Sequence, residues 1–374
     1  MSRHLGILGG GQLGRMLALS ARELGLEVTI IDPGKAPPAA AVAAHIHSEY
    51  GDQEALERIA QSDALTFEFE NVPEQATRIL EQKLPVAPPP RALKVSQDRL
   101  VEKNQLNQLG IETAAFCEIQ SEADVLLALN ELGPVLLKTR TLGYDGKGQA
   151  LVRDASAAAA AFASLKGAAA IAEGLVPFDR ELSSVATRAR NGELAFYDLT
   201  ENHHKAGILR RSFAPAPNIS KSLIAQAQDI TEKLLVELDY VGTLAIEFFQ
   251  VGQRLIVNEF APRVHNSGHW TIEGAETSQF ENHVRAVMGF PLGSTEHLGH
   301  SVMINLIGSI PPAQDVLAFR GAHLHDYSKD PRPGRKVGHI TIRRDSEEEA
   351  RAVAAELEEL IRSHEKGIQP SSET

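Results

Sequence analysis

Apolar stretches alternate with amphipathic ones over the first part of the chain. Residues 4–14 begin with a short apolar strand and continue into a glycine turn, and the apolar run at residues 28–31 is typical of a second strand. Between them, residues 12–25 carry large apolar side chains on one side of a predicted helix, at Leu13, Met16, Leu17 and Leu24. A second helix and a further strand follow at residues 55–60 and 64–69. This order predicts βαβ units and therefore a parallel sheet.

A proline-rich run at residues 85–90 predicts a domain boundary. Beyond it we predict helices at residues 96–110, 155–163, 281–288 and 346–363. We predict strands at residues 134–138, 168–176, 181–187, 243–251, 255–257 and 301–307. We expect residues 367–374 to be disordered. The pattern indicates an α/β protein whose C-terminal half has α+β character.

One predicted hairpin carries two carboxylates, Glu247 and Glu259, on either side of Gly252. A loop of odd length centred near Gly252 would place both on one face. Two carboxylates would repel each other and would be costly to bury unpaired. Mg²⁺ relieves that cost, since it takes one or two carboxylates plus substrate phosphates. The alternative of two solvated glutamates fits poorly with the apolar neighbours Ile246, Phe248, Val257 and Phe260.

The polar residues Arg263, His265, Asn266 and Ser267 follow this hairpin directly. If Glu259 holds a metal ion, they lie near a transferred phosphoryl group. Arg263 can bind a planar anion such as bicarbonate in a bidentate manner, and Asn266 and Ser267 can add hydrogen bonds. His265 could be a general base or a hydrogen-bond donor, or a structural residue that caps a turn.

The glycines Gly9, Gly11 and Gly14 satisfy G-x-G-x-x-G after the first strand, and Asp32 ends the second. This arrangement suggests an NAD enzyme. The same glycines are required wherever a strand turns tightly into a closely packed helix. Such a turn also presents N–H groups to any phosphate. The motif alone leaves both interpretations open.

Two cationic segments have the composition of phosphate-binding loops. Lys138 lies in an apolar strand and precedes the glycine-rich loop at residues 139–149, which could fold over phosphates or be a plain hairpin turn. The basic loop at residues 327–339 contains Arg335 and Lys336 and could bind phosphate or be a solvated turn.

Two further polar positions have more than one interpretation. Glu70 follows a strand, where it could contact a ligand or favour a helix N-terminus. His203 and His204 are adjacent, so they face different sides and do not form a joint metal site.

Composition narrows the functional class. The chain has 374 residues, room for two or three domains, and a net charge of −12, which argues against nucleic acid or an anionic membrane as the main partner. Its single cysteine, Cys117, excludes an intrachain disulfide. The N-terminus lacks the pattern of a signal peptide, and no apolar run is long enough to cross a membrane. We therefore expect a soluble cytoplasmic protein.

Five segments together resemble the ATP-grasp carboxylate-amine ligases, and within them the N5-carboxyaminoimidazole ribonucleotide synthetases. They are GILGGGQLGRM at residues 6–16, EFENVP at 68–73, GYDGKGQ at 143–149, NEFAPRVHNSGHWT at 258–271 and PRPGRKVGH at 331–339. The resemblance covers nearly the whole chain. It implies a Rossmann-like pre-ATP-grasp domain at residues 1–95 and an ATP-grasp domain at 96–295, with a mobile subdomain at about 115–175. A small C-terminal domain with a disordered tail would occupy residues 296–374.

The resemblance also implies which residues bind each ligand. ATP would be held by Arg99, Lys138, Gly143, Tyr144, Asp145, Gly146, Lys147, Gly148, Gln149, Glu173, Gly174, Leu175, Val176, Glu181 and His204. Glu247 and Glu259 would bind Mg²⁺ beside Asn258. The ribonucleotide would be held by the turn at residues 9–13, including Gly11, Gln12 and Leu13, and by Glu70, Arg335 and Lys336. Bicarbonate would be bordered by Tyr144, Lys147, Arg263, His265, Asn266 and Ser267.

The implied reaction is the ATP-dependent carboxylation of 5-aminoimidazole ribonucleotide with bicarbonate, in purine synthesis, by a homodimer. The glycine loop would close as a lid that protects carboxyphosphate from water. An NAD-dependent oxidoreductase would explain only the glycine motif and Asp32. A non-catalytic nucleotide-binding regulator would not need the paired carboxylates. An ATP-grasp ligase for another ribonucleotide is the nearest alternative.

Overall fold

The computed structural model of the chain describes residues 3–143 and 148–368. Over these ranges the backbone forms three β-sheets, of four, four and nine strands. None of the helices described is both long enough and apolar enough to cross a membrane.

The first sheet is parallel, with the strand order β3–β2–β1–β4. Its strands are β1 (His4–Leu8), β2 (Glu27–Asp32), β3 (Ala44–His47) and β4 (Ala64–Phe67), and the accompanying helices are α1 (Gln12–Glu23), α2 (Gln53–Ile59), α3 (Glu74–Glu81) and α4 (Pro90–Ser96). The central strand is buried on both faces: Leu5 and Ile7 pack with α1, whereas Leu8 packs with α2 and α3. The predicted βαβ order is confirmed.

The second sheet is antiparallel, with the order β5–β8–β6–β7. It contains β5 (Phe116–Ile119), β6 (Val135–Thr139), β7 (Gln149–Val152) and β8 (Ala170–Gly174). The helices of this part of the chain are α5 (Arg99–Gln108), α6 (Glu122–Leu132) and α7 (Ala158–Ser164).

The prediction of one continuous helix over residues 96–110 is wrong. Helix α4 ends at Ser96, and α5 begins after Asp98. Asp98 has extended backbone angles, and its carboxylate accepts the N–H of Leu100 at 2.9 Å. The same carboxylate pairs with Arg140 at 2.6 Å. The chain breaks here because Asp98 caps a new helix.

The third sheet is antiparallel, with the order β14–β13–β9–β11–β12–β15–β17–β16 and with β10 paired to β9. Its strands are β9 (Arg180–Arg188), β10 (Leu194–Phe196), β11 (Thr200–Lys205), β12 (Ile208–Ala214), β13 (Gly242–Val251), β14 (Arg254–Ala261), β15 (His300–Ile307), β16 (Ala322–Asp326) and β17 (Lys336–Arg344). The remaining helices are α8 (Lys221–Glu237), α9 (Thr271–Gly274), α10 (Gln279–Met288), α11 (Ala313–Leu317) and α12 (Glu347–Ile368).

The C-terminal strands β15, β16 and β17 extend the same sheet that carries the β13–β14 hairpin. The predicted domain limits at residues 95 and 295 stay a prediction. Helix α12 continues to Ile368, so the first two residues of the predicted disordered tail are helical. The remainder of that tail lies outside the described residues.

Candidate active site

The β13–β14 hairpin places Glu247 directly opposite Glu259. The predicted loop of odd length, however, is wrong. Val251 pairs with Arg254, which leaves a loop of residues 252–253. In a regular ladder with that loop, Glu247 would pair with residue 258 instead.

A β-bulge restores the pairing of the two carboxylates. Phe248 pairs with Val257, but the next pair is Glu247 with Glu259, so Asn258 is the extra residue on β14. The predicted arrangement of the two carboxylates is therefore present, although it arises from the bulge.

The two carboxylates have opposite electrostatic environments. Burial and the neighbouring Glu259 raise the pKa of Glu247 to about 7. Burial acts in the same direction on Glu259, but the Arg99 guanidinium, 2.6 Å away, outweighs it and lowers the pKa of Glu259 to about 2. A divalent cation between them would remove the repulsion that favours protonation of Glu247. The donor set therefore fits Mg²⁺.

A cleft of about 600 Å³ opens beside this pair. Its side chains come from the loop after β4, from α4 and α5, from the β6–β7 connection, and from the hairpin and the residues that follow it. Its lining includes Glu70, Ser96, Gln97, Arg99, Glu102, Arg140, Gly143, Ala245, Glu247, Glu259, Arg263 and His265. Seven predicted site residues from segments far apart in sequence thus share one cleft. Over the described residues, no group of three or more His, Cys, Asp and Glu side chains could hold a metal ion.

Arg263 and Glu70 form an ion pair in this cleft. Burial acts to raise the pKa of Glu70, but Arg263 outweighs it and holds that pKa below its usual range. The Arg263 guanidinium also donates to the Val264 carbonyl at 3.0 Å. The pair connects the loop after β4 to the end of β14, where the predicted ribonucleotide and bicarbonate contacts meet.

His265 and its neighbours are held by hydrogen bonds. Burial, with Arg263 and Lys336 nearby, lowers the pKa of His265 to about 3. The Asn266 side chain is bonded to the Asn305 amide, and Ser267 is fully buried, with its hydroxyl 2.9 Å from His265 Nδ1. The direct contact of Asn266 and Ser267 with bicarbonate stays a prediction.

Lys138 lies in a buried cluster with Glu173 and Lys103. Lys138 Nζ is 2.9 Å from Glu173 Oε2, and Lys103 Nζ is 3.4 Å from Glu173 Oε1. Burial acts to raise the pKa of Glu173, but the two lysines hold it below its usual range. Lys103 also donates to the carbonyl of the bulged Asn258 at 3.2 Å. Lys103 was not among the predicted site residues, although its position four residues after Arg99 on α5 puts both on one helix face.

The remaining predicted ATP contacts lie on β8, β9 and β11. His204 Nδ1 is 2.8 Å from Glu181 Oε2. Burial acts to lower the pKa of His204, but Glu181 and Glu247 outweigh it and raise that pKa. His203 pairs instead with Glu201, which agrees with the expectation that the adjacent histidines face different sides.

The end of β8 and the residues after it, Gly174, Leu175 and Val176, belong to the predicted ATP contacts. Gly174 ends the strand, and the N–H of Leu175 donates to the Pro134 carbonyl at 3.4 Å. The Val176 carbonyl accepts from the N–H of Phe178 at 3.0 Å. The contact of this segment with ATP stays a prediction.

Three family models match successive parts of the chain. The ribonucleotide synthetase preATP-grasp domain matches residues 1–97, the ATP-grasp domain residues 104–280, and the phosphoribosylaminoimidazole carboxylase C-terminal domain residues 301–353. A curated relative, the N5-carboxyaminoimidazole ribonucleotide synthase of Pseudomonas aeruginosa, is 50% identical over 96% of this chain and 99% of its own length.

The chain belongs to the N5-carboxyaminoimidazole ribonucleotide synthase family. The crystal structure of the synthetase from Thermus thermophilus has a TM-score of 0.91 and 53% identity, covering 95% of this chain and 98% of that one. The synthase from Aspergillus clavatus, solved with ADP and 5-aminoimidazole ribonucleotide, has a TM-score of 0.90 and 31% identity, covering 97% and 99%. The predicted ATP-grasp fold and the assignment as a carbon–nitrogen ligase are confirmed.

In this synthase family member the glycine turn uses its N–H groups within the protein. Gly11 N and Gly14 N donate to the Glu68 carboxylate at 2.5 and 2.8 Å. A Cβ at residue 11 would lie 2.5 Å from Glu68 Oε1, and one at residue 14 would lie 2.8 Å from the Gly9 carbonyl oxygen. Gly11 therefore makes room for the buried carboxylate, and Gly14 makes room for the backbone carbonyl of Gly9.

Asp32 is likewise engaged, since it accepts the N–H groups of Gly10 at 2.8 Å and Gly34 at 2.7 Å. The Gly11 N–H is bonded to Glu68 within the protein, and contact of Gly11 with the ribonucleotide stays a prediction. The interpretation as an NAD enzyme is also weakened, because the Asp32 carboxylate that would bind the ribose is bonded to backbone N–H groups.

The basic loop lies next to the glycine turn. Lys329 contacts the Gln12 side-chain oxygen, and Arg15 donates to Ser328 at 3.3 Å. Arg335 donates to the Asp330 carbonyl at 3.1 Å, and Lys336 is the first residue of β17. The segments predicted to hold the ribonucleotide, including Leu13 at the start of α1, therefore meet.

The predicted lid falls mainly outside the described residues, at Tyr144, Asp145, Gly146 and Lys147. Its two ends are described. The Gly143 carbonyl accepts from Arg99 at 3.3 Å, and the Gly148 carbonyl accepts the N–H of Thr139 at 2.9 Å. Gln149 pairs with Lys138 across the β6–β7 ladder. The roles of the four residues stay predictions.

Proposed function

We propose that this enzyme converts ATP, bicarbonate and 5-aminoimidazole ribonucleotide into N5-carboxyaminoimidazole ribonucleotide, ADP and phosphate. The observation that carries the proposal is the single cleft that contains the opposed carboxylates Glu247 and Glu259 together with the Arg263–Glu70 pair. Phosphoryl transfer and carboxyl transfer can therefore take place next to each other. Membership of the synthase family supports the choice of substrates.

ATP and Mg²⁺ belong at the acidic side of the cleft. Glu247 and Glu259 would hold Mg²⁺ beside Asn258, and the ion would neutralise charge on the transferred phosphoryl group. Arg99 already contacts Glu259, so its guanidinium stands where it can donate to phosphate oxygens as well. Lys138 would turn from Glu173 to a phosphate, while Lys103 would keep Glu173 paired. This exchange leaves no buried carboxylate without a cation.

Bicarbonate is a poor electrophile and needs activation. Its oxygen attacks the γ-phosphorus of ATP, which gives carboxyphosphate and ADP. The amine nitrogen of the ribonucleotide then attacks the carboxyl carbon of carboxyphosphate. The bond between that carbon and the bridging oxygen breaks, phosphate leaves, and the proton lost from the amine passes to the departing phosphate. Arg263 would bind the bicarbonate or carboxyphosphate, because its planar guanidinium can donate two parallel hydrogen bonds. Water must be kept out during this step.

The ribonucleotide belongs between the first sheet and the basic loop. Because Gly11 N is occupied by Glu68, we assign its phosphate to the N–H groups of Gln12 and Leu13 at the start of α1, with Arg335 and Lys336 as cationic partners. Glu70 stands on the cleft side of this region, where its carboxylate can accept hydrogen bonds from the ribonucleotide.

Phosphate release from ATP tests the proposal. Release should require Mg²⁺ and should rise strongly when bicarbonate and 5-aminoimidazole ribonucleotide are both present. Other purine-pathway ribonucleotides with a free amine serve as controls, because an ATP-grasp ligase for another substrate would respond to one of them instead. Absence of ATP turnover under every condition would favour a non-catalytic nucleotide-binding protein. We also propose a cytoplasmic homodimer, which light scattering and cell fractionation would test.

A further inference from the structure

A chain of buried hydrogen bonds leads from the third sheet to His265. Ser212 Oγ donates to Asn202 Oδ1 at 2.7 Å, and Asn202 Nδ2 donates to Ser183 Oγ at 3.0 Å. Ser183 Oγ then donates to Ser267 Oγ at 2.7 Å, which lies 2.9 Å from His265 Nδ1. Ser183, Ser212 and Ser267 are fully buried, and Asn202 is 4% exposed.

A backbone group determines the direction of this chain. The N–H of Ser267 points at His265 Nδ1, at 3.3 Å. A backbone N–H can only donate, so Nδ1 must be the acceptor and carry no proton. With no hydrogen on Nδ1, its 2.9 Å contact with the Ser267 hydroxyl is a hydrogen bond only if the hydroxyl donates. The hydroxyl therefore shares the Nδ1 lone pair with the Ser267 N–H, and it accepts from Ser183. From that start each later member of the chain has one arrangement that satisfies its donors and acceptors: Ser183 donates to Ser267, Asn202 Nδ2 to Ser183, and Ser212 to Asn202 Oδ1.

The other ring nitrogen of His265 faces the metal-binding edge. In a neutral imidazole whose Nδ1 accepts, Nε2 bears the hydrogen. Nε2 lies 3.4 Å from Glu247 Oε1. His265 therefore presents a donor toward the acidic side of the cleft.

We propose that the Ser212–Asn202–Ser183–Ser267 chain is a positioning device that holds His265 in the Nε2–H form, so that His265 donates a hydrogen bond in the cleft and does not accept the proton of the substrate amine. The proposal rests on the proposed function only for the identity of the reaction. Ser183, Asn202 and Ser212 are positioning residues, since they reach the cleft only through Ser267 and His265. The structure thus separates the two roles that the sequence left open for His265.

Nitrogen NMR of the full-length protein labelled with ¹⁵N-histidine tests the proposal directly, because the two ring nitrogens of each neutral tautomer give different chemical shifts. The His265 signals are assigned from their loss in His265→Gln. We expect the Nε2–H form, both without ligands and with Mg²⁺ and a non-hydrolysable ATP analogue. A His265 signal from the Nδ1–H form would overturn the proposal. This readout does not depend on turnover, so it remains valid even if the enzyme makes no carboxylated product and the proposed function fails.

Two neighbouring serines on β9 provide a matched pair of variants. Ser183→Ala breaks the chain, whereas Ser184→Ala removes an equally buried hydroxyl from the opposite face of the strand, where it is 3.2 Å from Thr231 Oγ1. We expect Ser183→Ala to lower kcat for carboxylation about fivefold to tenfold, the scale of one lost positioning hydrogen bond. The KM for ATP should stay within about twofold, as should both parameters in Ser184→Ala.

The Ser183→Ala variant should also add a second His265 species to the ¹⁵N spectrum, which Ser184→Ala should not do. If Ser183→Ala is unstable, Ser183→Cys keeps the size and a weak donor, and we expect an intermediate loss of kcat. Equal effects of the Ser183 and Ser184 substitutions, or no effect of either, would show that the chain is structural and would contradict the proposal.

Discussion

Replacing Glu68 by glutamine should weaken binding of the ribonucleotide while leaving ATP binding unchanged. The substitution preserves the size of the side chain but exchanges one acceptor oxygen for an NH₂ group. Glu68 is 7% exposed and accepts two backbone N–H groups, from Gly11 and Gly14. A glutamine can satisfy one of them, and its NH₂ group must then face the other donor.

The size of the effect follows from that mismatch. A buried donor left without an acceptor costs about 1–3 kcal/mol. If the turn relaxes in the free protein, binding of the ribonucleotide must restore it, and the same free energy is lost from binding. Since about 1.4 kcal/mol corresponds to a factor of ten, the dissociation constant should rise by roughly fivefold to 150-fold. The ATP contacts lie on other elements, so the ATP constant should change by less than about twofold.

Isothermal titration of the Mg²⁺-supplemented protein with each ligand measures the two constants separately. Glu54→Gln is the matched control, because it makes the same change at an exposed position of α2 in the same sheet layer. Equal weakening of ATP binding and ribonucleotide binding by Glu68→Gln, or no weakening of either, would contradict this prediction. In the first case Glu68 would be a general stability residue, and in the second the turn would not contact the ribonucleotide.

Three further predictions concern the acidic side of the cleft and acid stability. Glu259→Gln should reduce turnover by about 10²–10³-fold, because it removes a negative charge that binds the Mg²⁺ ion in the transition state. Near-normal rates across a Mg²⁺ titration, with an unchanged circular dichroism spectrum, would show that Glu259 is not a metal ligand. Lys138→Met should weaken ATP binding by roughly tenfold or more, on the scale of one hydrogen bond to a charged group, while the dissociation constant of the ribonucleotide changes little. Equal losses of affinity for both ligands, measured by titration calorimetry, would indicate a structural role. Burial lowers the pKa of His283 to about 3, below the unfolded value of roughly 6.5. The unfolded state therefore binds more protons below pH 6.5, so stability should be full above that pH and fall as the pH decreases toward 3, by up to about 1.4 kcal/mol per pH unit for this group; a melting temperature that does not fall between pH 7.5 and 5 would contradict this.

Much of the architecture follows from apolar periodicity, but two features show its limit. The βαβ order and the hairpin with two carboxylates are legible in the sequence, because burial dictates where apolar residues recur. The length of the hairpin loop could not be predicted from the sequence, because a single extra residue on β14, Asn258, shifts the strand register. Nothing in the local pattern distinguishes a bulge from a regular strand with a longer loop.

The glycine turn shows a second limit. The G-x-G-x-x-G motif indicates only that another group approaches the backbone of these glycines closely. That partner proved to be Glu68, which follows a different strand and is 57 residues from Gly11. A contact between residues so far apart in sequence depends on the parallel pairing of β1 with β4. The missed helix α8, by contrast, had a readable signal, since Leu223, Ala227, Ile230 and Leu234 recur at helical spacing and are all buried.

The most direct test of the account follows one oxygen atom. The enzyme is supplied with ATP, Mg²⁺, 5-aminoimidazole ribonucleotide and bicarbonate labelled with ¹⁸O and ¹³C, and the phosphate and the nucleotide product are analysed by mass spectrometry at early times. Attack of bicarbonate on ATP predicts one ¹⁸O in each phosphate released and one ¹³C-carboxyl group in each product, in equal amounts with ADP. Phosphate that contains only solvent or ATP oxygen, or ADP formed without ¹³C-labelled product, would contradict the account.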